Sequence, residues 1–316
     1  MPDIVVMFFL LGLLAGIVRS DLSLPKEIYD TISLLLMLTI GLKGGMALYG
    51  NLDWRLLPEL LTVILVGALI PLLLFPVLRH VVRLNTPDSI SIAAHYGSVS
   101  AGTFAVALAY VETQKIETAP EITLYLVAME LPAIIVSLLL YRKVRTVQPR
   151  VRPSLSKLWH EALTNRSVIL LLGGVVIGMM YGPQQGAAVT DLYLGAFKAV
   201  LALFLLEMGL TAAETLRPIP WRHWRLIVFA LVIPTLLALL GIGAALLLDL
   251  PRGSAIVLAA LTASASYIAV PVAVRGAIKD ADIGLAMLAS LGLTFPFNVL
   301  IGIGLYHAII DALILP

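Results

Sequence analysis

The 316-residue chain contains no cysteine, and only 13% of its residues are charged. The first absence removes disulfides, thiolate nucleophiles, Fe–S clusters and Cys-ligated zinc. The second is about half the ~25% charge of an ordinary soluble domain. A formal charge of +2 is too small for a nucleic-acid footprint. The ten-residue alternating segments of a membrane β-barrel are missing. No Lys or Arg precedes the first apolar run at 4–18, so the basic n-region of a signal peptide is lacking and the run reads as a span. No G-x-S-x-G, H-E-x-x-H, G-x-x-x-x-G-K-[ST] or pair of mid-span Asp residues supports an enzyme. Without a nucleotide-binding motif, any uphill work must draw on an ion gradient.

What is present is apolar chain: 60% hydrophobic residues and a mean hydropathy of +1.01. Six runs carry no Asp, Glu, Lys or Arg: 60–78, 89–111, 167–190, 226–248, 253–274 and 283–310. Each approaches or exceeds the ~20 residues that cross a bilayer. Allowing a few ionisable residues inside spans predicts an all-α polytopic membrane protein of ten helices. Their expected limits are 4–18, 28–49, 56–78, 89–110, 121–141, 167–181, 192–213, 226–248, 253–274 and 283–309. Sixteen Lys and Arg, seven of them within 142–166, fall on one face and only Arg55, Lys115 and Arg252 on the other. The richer face is read as cytoplasmic, with both termini outside, in a bacterial inner (plasma) membrane.

The basic segment 142–166 divides the chain into a first five-helix unit, 1–141, and a second, 167–316. Four features recur in order at offsets of 163 to 167 residues: Trp54-Arg55 with Trp221-Arg222, Ile70-Pro71 with Ile233-Pro234, Ser98-Val99-Ser100 with Ser264-Ala265-Ser266, and Glu130 and Pro132 with Thr294 and Pro296. Five is odd, so the second unit enters the membrane from the opposite side. The pattern predicts a 5+5 inverted-topology repeat, a recurrent architecture of secondary transporters.

The fourth and ninth spans carry the strongest functional signal. Each places small hydroxyl residues near its middle, beside Gly97 and Gly102 in one and Pro271 in the other. Gly costs a helix about 1 kcal/mol relative to Ala, and Pro about 3. The freed backbone groups must face protein or a polar cavity. A half-helix N-terminus there suits an anion, while unwound carbonyls and hydroxyls suit Na+. Close helix packing by small residues is the competing reading. A charge at mid-span costs at least ~2.5 kcal/mol, which singles out Glu130 as a cation ligand or helix-pairing partner. Lys43 and Glu207, at equivalent places in the second and seventh spans, form a candidate structural or gating pair. Glu59 and Lys198 lie nearer span ends, where long side chains snorkel. Thr294 and Asn298 flank Pro296 one turn apart.

The segments Leu38–Leu48, Gly97–Ile116, Leu124–Pro132 and Thr262–Ala277 resemble the sodium-dependent bicarbonate transporter family typified by cyanobacterial SbtA-type permeases. The resemblance implies a homotrimer of ten-span, 5+5 repeat subunits that imports bicarbonate with Na+ and needs no organic cofactor. It places the anion at Ser98, Ser100, Gly102, Thr103, Ser264 and Ser266, and Ala101, Ala265 and Tyr267 beside them are expected to line the same site. Na+ is expected at Glu130, Ser98, Thr262, Ser264, Thr294 and Asn298. It also implies a PII-like regulatory partner at the cytoplasmic face. The chain departs from the family pattern where Tyr267-Ile268-Ala269-Val270 replaces an Asp-Ile-Ser-Gly run. Glu130 replaces an Asp, Lys43 a neutral residue, and the central loop is shorter. Import of another small anion such as a monocarboxylate, or a channel or sensor without turnover, stays open on the residues alone.

Overall fold

In a computed structural model, residues 3–51, 53–144, 164, 166–217 and 221–314 are described; most of the basic segment 142–166 lies outside them. Among the described residues the chain is helical, with no strand. The helices are α1 (Ile4–Val18), α2 (Lys26–Leu48), α3 (Leu56–Pro76, continued by a π turn over Val77–Val82), α4 (Thr86–Gly97), α5 (Ala101–Thr113) and α6 (Ile122–Val144). There follow α7 (Arg166–Gln185), α8 (Ala187–Thr215), α9 (Trp224–Leu247), α10 (Arg252–Thr262) and α11 (Ala269–Ala277). The last, α12, spans Ile283–Leu313 and contains π turns at Leu288–Thr294 and Asn298–Gly302.

Among the described residues eight helices are long and apolar enough to cross a membrane, α4 and α5 counting together as one. Two of the ten expected spans fall short of that length. The first is the 15 residues of α1; the ninth is cut by residues 263–268 into the 11 of α10 and the 9 of α11. The chain is a polytopic helical membrane protein.

Glycines set the two closest seams, α1 on α8 and α2 on α7. Gly12 and Gly209 lie against the Leu206 and Phe9 carbonyls, and Gly41 and Gly45 against those of Leu171 and Val175. A Cβ at Gly174 would sit 2.9 Å from the Leu38 carbonyl oxygen. Lipid tails give no hydrophobic drive for helices to associate, so such close backbone approach is the main source of packing energy. The other helices wrap the broken pairs: α3 and α6 pack on α4, while α9 and α12 pack on α10. In the most apolar 18-residue stretch of Thr86–Thr113, 94% of the residues are consequently buried, against 33% in that of α3 with its π turn.

Candidate functional site

The two interrupted helices meet at their breaks. Ser98 and Ser100 are extended, and Ser100 caps α5 by accepting the Thr103 N–H on its Oγ at 3.1 Å. The breaks are tied crosswise. The Ser100 N–H donates to Ser264 Oγ at 2.9 Å, and the Ser266 N–H to the His95 carbonyl at 2.7 Å. Backbone groups that lipid could not satisfy thus find partners in the opposite break. The N-termini of α5 and α11 border one small cavity of about 20 Å³, room for about one water. Ser100, Ala101, Ser266, Tyr267, Ile268 and Glu130 line it, with Met37, Leu126 and Leu171 as its apolar wall.

Polar atoms at this crossing are left unsatisfied. Among the described residues ten buried side-chain atoms lack a hydrogen-bond partner; Ser98 Oγ, Thr103 Oγ1 and Tyr267 Oη belong to the breaks and the first turn of α5, and Ser91 Oγ and His95 Nε2 to the part of α4 that leads into its break. Tyr267 Oη lies against Gly102 and beside the Ser100 side chain, without completing a hydrogen bond of good geometry. Glu130 is 8% exposed on the cavity wall, and no described residue hydrogen-bonds its carboxylate. An unmet buried donor or acceptor costs about 1–3 kcal/mol, and a buried carboxylate demands a counter-charge or a proton. The arrangement turns two helix N-termini, the kind of end that suits an anion, and a carboxylate, which suits a cation, toward one cavity; with room for about one water, the breaks must part before an ion larger than that can enter.

Of the residues expected to bind the anion, Ser100, Ala101, Ser266 and Tyr267 line the cavity. Ser98, Gly102 and Thr103 are buried in the same crossing. Ser264 and Ala265 are buried too, and Ser264 Oγ is committed, donating to the Leu261 carbonyl at 2.7 Å while accepting from Ser100. Three residues of the expected Na+ set serve other bonds. Thr262 Oγ1 donates to carbonyls of its own helix and packs against Gly241. Thr294 Oγ1 donates to the Ala230 carbonyl at 2.8 Å and meets Tyr96 Oη at 2.6 Å. Asn298 Nδ2 donates to the Ala263 carbonyl at 2.9 Å, and its Oδ1 accepts from Tyr306 Oη at 2.7 Å.

The expected Lys43–Glu207 pair is corrected: Lys43 pairs with Glu112 and lies 5.3 Å from the Phe197 ring centroid. α2 and α8 run antiparallel, as Tyr29 stacks on Phe204 near the start of α2 while Lys43 faces Phe197. Glu207 stands nine residues beyond Lys198, about 14 Å along the axis. There its Oε1 accepts from Thr211 at 3.5 Å and its Oε2 has no partner. Equivalent positions in oppositely directed helices end up at opposite depths. Glu59, expected to snorkel, is buried and accepts from Tyr125 Oη at 2.7 Å.

Sequence reasoning did not anticipate Glu112 as the partner of Lys43, or the apolar wall of Met37, Leu126 and Leu171. It also missed a network at the far ends of α5, α10 and α12. There Tyr110 Oη meets His307 Nδ1 at 2.8 Å, and Arg252 reaches both His307 Nε2 (2.7 Å) and Asp311. The i,i+4 spacing of His307 and Asp311 was the one local signal. Among the described residues no group of three or more His, Asp or Glu side chains forms a metal site. Compared with known proteins, residues 4–311 match the model of a family described as the Na+-dependent bicarbonate transporter superfamily. No curated protein matches the chain.

Proposed function

Because the chain belongs to the Na+-dependent bicarbonate transporter superfamily, we propose that it imports bicarbonate with Na+ by alternating access, through the crossing of α4–α5 and α10–α11. Bicarbonate, as cargo, is held at the N-termini of α5 and α11 by Ser98, Ser100 and Thr103 on one side and Ser266 and Tyr267 on the other. Na+ is held by Glu130 with hydroxyl and carbonyl oxygens of the breaks. Thr262, Ser264, Thr294 and Asn298 hold the frame of the crossing. The observation that carries the reading is the meeting of two helix N-termini and an unpartnered carboxylate at one cavity, with the Ser98 and Thr103 hydroxyls left without hydrogen-bond partners in the same crossing.

Paired contacts support two inverted halves. α1 packs on α8 and α2 on α7; α3 meets α4 as α9 meets α10; α6 packs on α3 as α12 packs on α9. Ten spans, a homotrimer in the inner membrane with both termini outside, and a PII-like partner complete the reading. The spans and orientation rest on the sequence pattern and charge count, the trimer and partner on the resemblance.

The test is uptake of labelled bicarbonate into proteoliposomes, wild type beside Glu130→Gln. An inward Na+ gradient should drive accumulation in the wild type, and the variant should lose that dependence. Wild-type uptake indifferent to the gradient refutes the coupling. Stronger competition by acetate than by unlabelled bicarbonate moves the substrate to a monocarboxylate.

A further inference from the structure

A second cavity lies at the opposite kind of place, on the arginine-rich face. The turn after α3, the start of α4 and the residues leading into α9 enclose about 360 Å³, lined by Arg83, Arg222, His223 and Arg225. The turn is fixed. Arg83 adopts a left-handed φ of 67° with its N–H placed on the Leu78 carbonyl, and Arg79 Nη1 donates to the Leu84 carbonyl at 2.7 Å. Among the described wall residues the one carboxylate, Asp88, is occupied: Oδ1 accepts the Asp282 N–H and Oδ2 accepts from Asn85 Nδ2, both at 2.7 Å. Among the described residues none of the three guanidiniums is ion-paired to a carboxylate.

The surroundings specify the ligand. Three arginines from two chain segments line one concave site, the Arg225 guanidinium lying 5.4 Å from the Trp224 ring centroid, and guanidinium forks match phosphate oxygens. Trp221 is 71% exposed, Trp224 56% and Val81 67%. Exposed indoles mark the headgroup level of a bilayer, and basic pockets between helices at that level suit anionic headgroups. Free phosphate would use the arginines but not the apolar flank. We infer that this pocket binds the phosphate of an anionic phospholipid, with Arg83 closing on the headgroup from the first half of the chain and Arg222 and Arg225 from the second.

The full-length protein in nanodiscs of phosphatidylglycerol and phosphatidylcholine, released and weighed by native mass spectrometry, provides the test. Phosphatidylglycerol should be retained in preference. Arg83→Gln, Arg222→Gln and Arg225→Gln should each weaken retention about fivefold, and the triple variant should abolish the preference. Arg275→Gln, an exposed cation outside the pocket, should leave it unchanged. Equal preference in wild type and triple variant overturns the site, as does an Arg275→Gln loss as large as the pocket variants' loss. Complete displacement of the lipid by millimolar inorganic phosphate overturns the lipid as ligand. If the triple variant does not fold, the single variants make the same comparison.

Discussion

Asn298 distinguishes a ligand from a girder. Both ends of its amide are engaged, Nδ2 on the Ala263 carbonyl at the end of α10 and Oδ1 under the Tyr306 hydroxyl. The residue is fully buried. Replacing it by Ala removes two bonds and leaves a carbonyl at the break and a phenol unmet. Side-chain hydrogen bonds between membrane helices are worth about 0.6 kcal/mol on average and ~1.7 at most. The bond to Ala263 joins two helices and the bond from Tyr306 lies within α12; taken together at that scale they give about 1–3 kcal/mol, and the orphaned groups push the figure toward the upper end. The assay is reversible unfolding in mixed micelles, with and without Na+. As a girder, Asn298→Ala should lose that stability equally in both conditions, and Tyr306→Phe in the same background should cost little more. Gly302 offers an independent route, since a Cβ there would sit 2.7 Å from Asn298 Oδ1 and 2.8 Å from Tyr306 Oη. Gly302→Ala should therefore damage the same bond without removing either oxygen. A loss by Asn298→Ala that appears only in Na+ would refute the reasoning and return the residue to the ion site.

A Cβ at Gly102 would collide with Tyr267 Oη and lie 2.9 Å from Phe204 Cε1, so Gly102→Ala should lower bicarbonate uptake at least severalfold. Tyr267→Phe in that background should restore part of it by removing the colliding oxygen, which an uptake assay on the three variants checks. Glu112→Gln should leave Lys43 without its carboxylate and cost more than the ~0.2–1 kcal/mol of an exposed pair, though less than the 3–5 of a fully buried one, because both side chains are about one-third exposed. Lys43→Met with Glu112→Gln should then be more stable than Glu112→Gln alone in the same unfolding assay. At the start of α6, burial, with the Glu59 carboxylate beside it, raises the Glu121 carboxyl above its ordinary 4.5. The folded protein thus holds that proton more tightly than the unfolded chain. Its contribution to stability is complete below about pH 4.5 and is lost as pH rises through the folded value. Glu121→Gln should flatten the fall of melting temperature in that window, and an unchanged slope would count against it.

Hydropathy made the helices legible because a bilayer accepts few alternatives for an apolar run. The breaks were legible because Gly97, Gly102 and Pro271 weaken a helix wherever they stand. Satisfaction of polar atoms was not legible. Ser98 and Ser264 look alike in sequence, yet Ser264 Oγ is bonded twice and Ser98 Oγ not at all. The difference arises from how two distant segments cross. The matched sequence features even misled at Lys43 and Glu207, because α2 and α8 run antiparallel and hold the two residues apart. The seams could have been read: Gly12 and Gly16, Gly41 and Gly45, and Gly174 and Gly178 all stand four apart, the spacing that brings helix backbones together.

Hydroxyls elsewhere in the bundle show what the fold does with a polar side chain that has no task. Thr31, Thr39, Thr62, Thr113, Thr215 and Ser290 each donate to the carbonyl four residues back, at 2.7–2.8 Å. This route needs no neighbour and is open to Ser and Thr throughout a helix. Ser91 and Thr103, beside the crossing, do not take it, and Ser98 sits where no helical carbonyl is offered. Leaving several such groups unmet costs a few kcal/mol against a total stability of ~5–15. A fold that satisfies the hydroxyls of Thr262 and Thr294 yet leaves those of Ser98 and Thr103 unmet near an unpartnered carboxylate carries there a deficit of the kind that an anion and a cation would relieve.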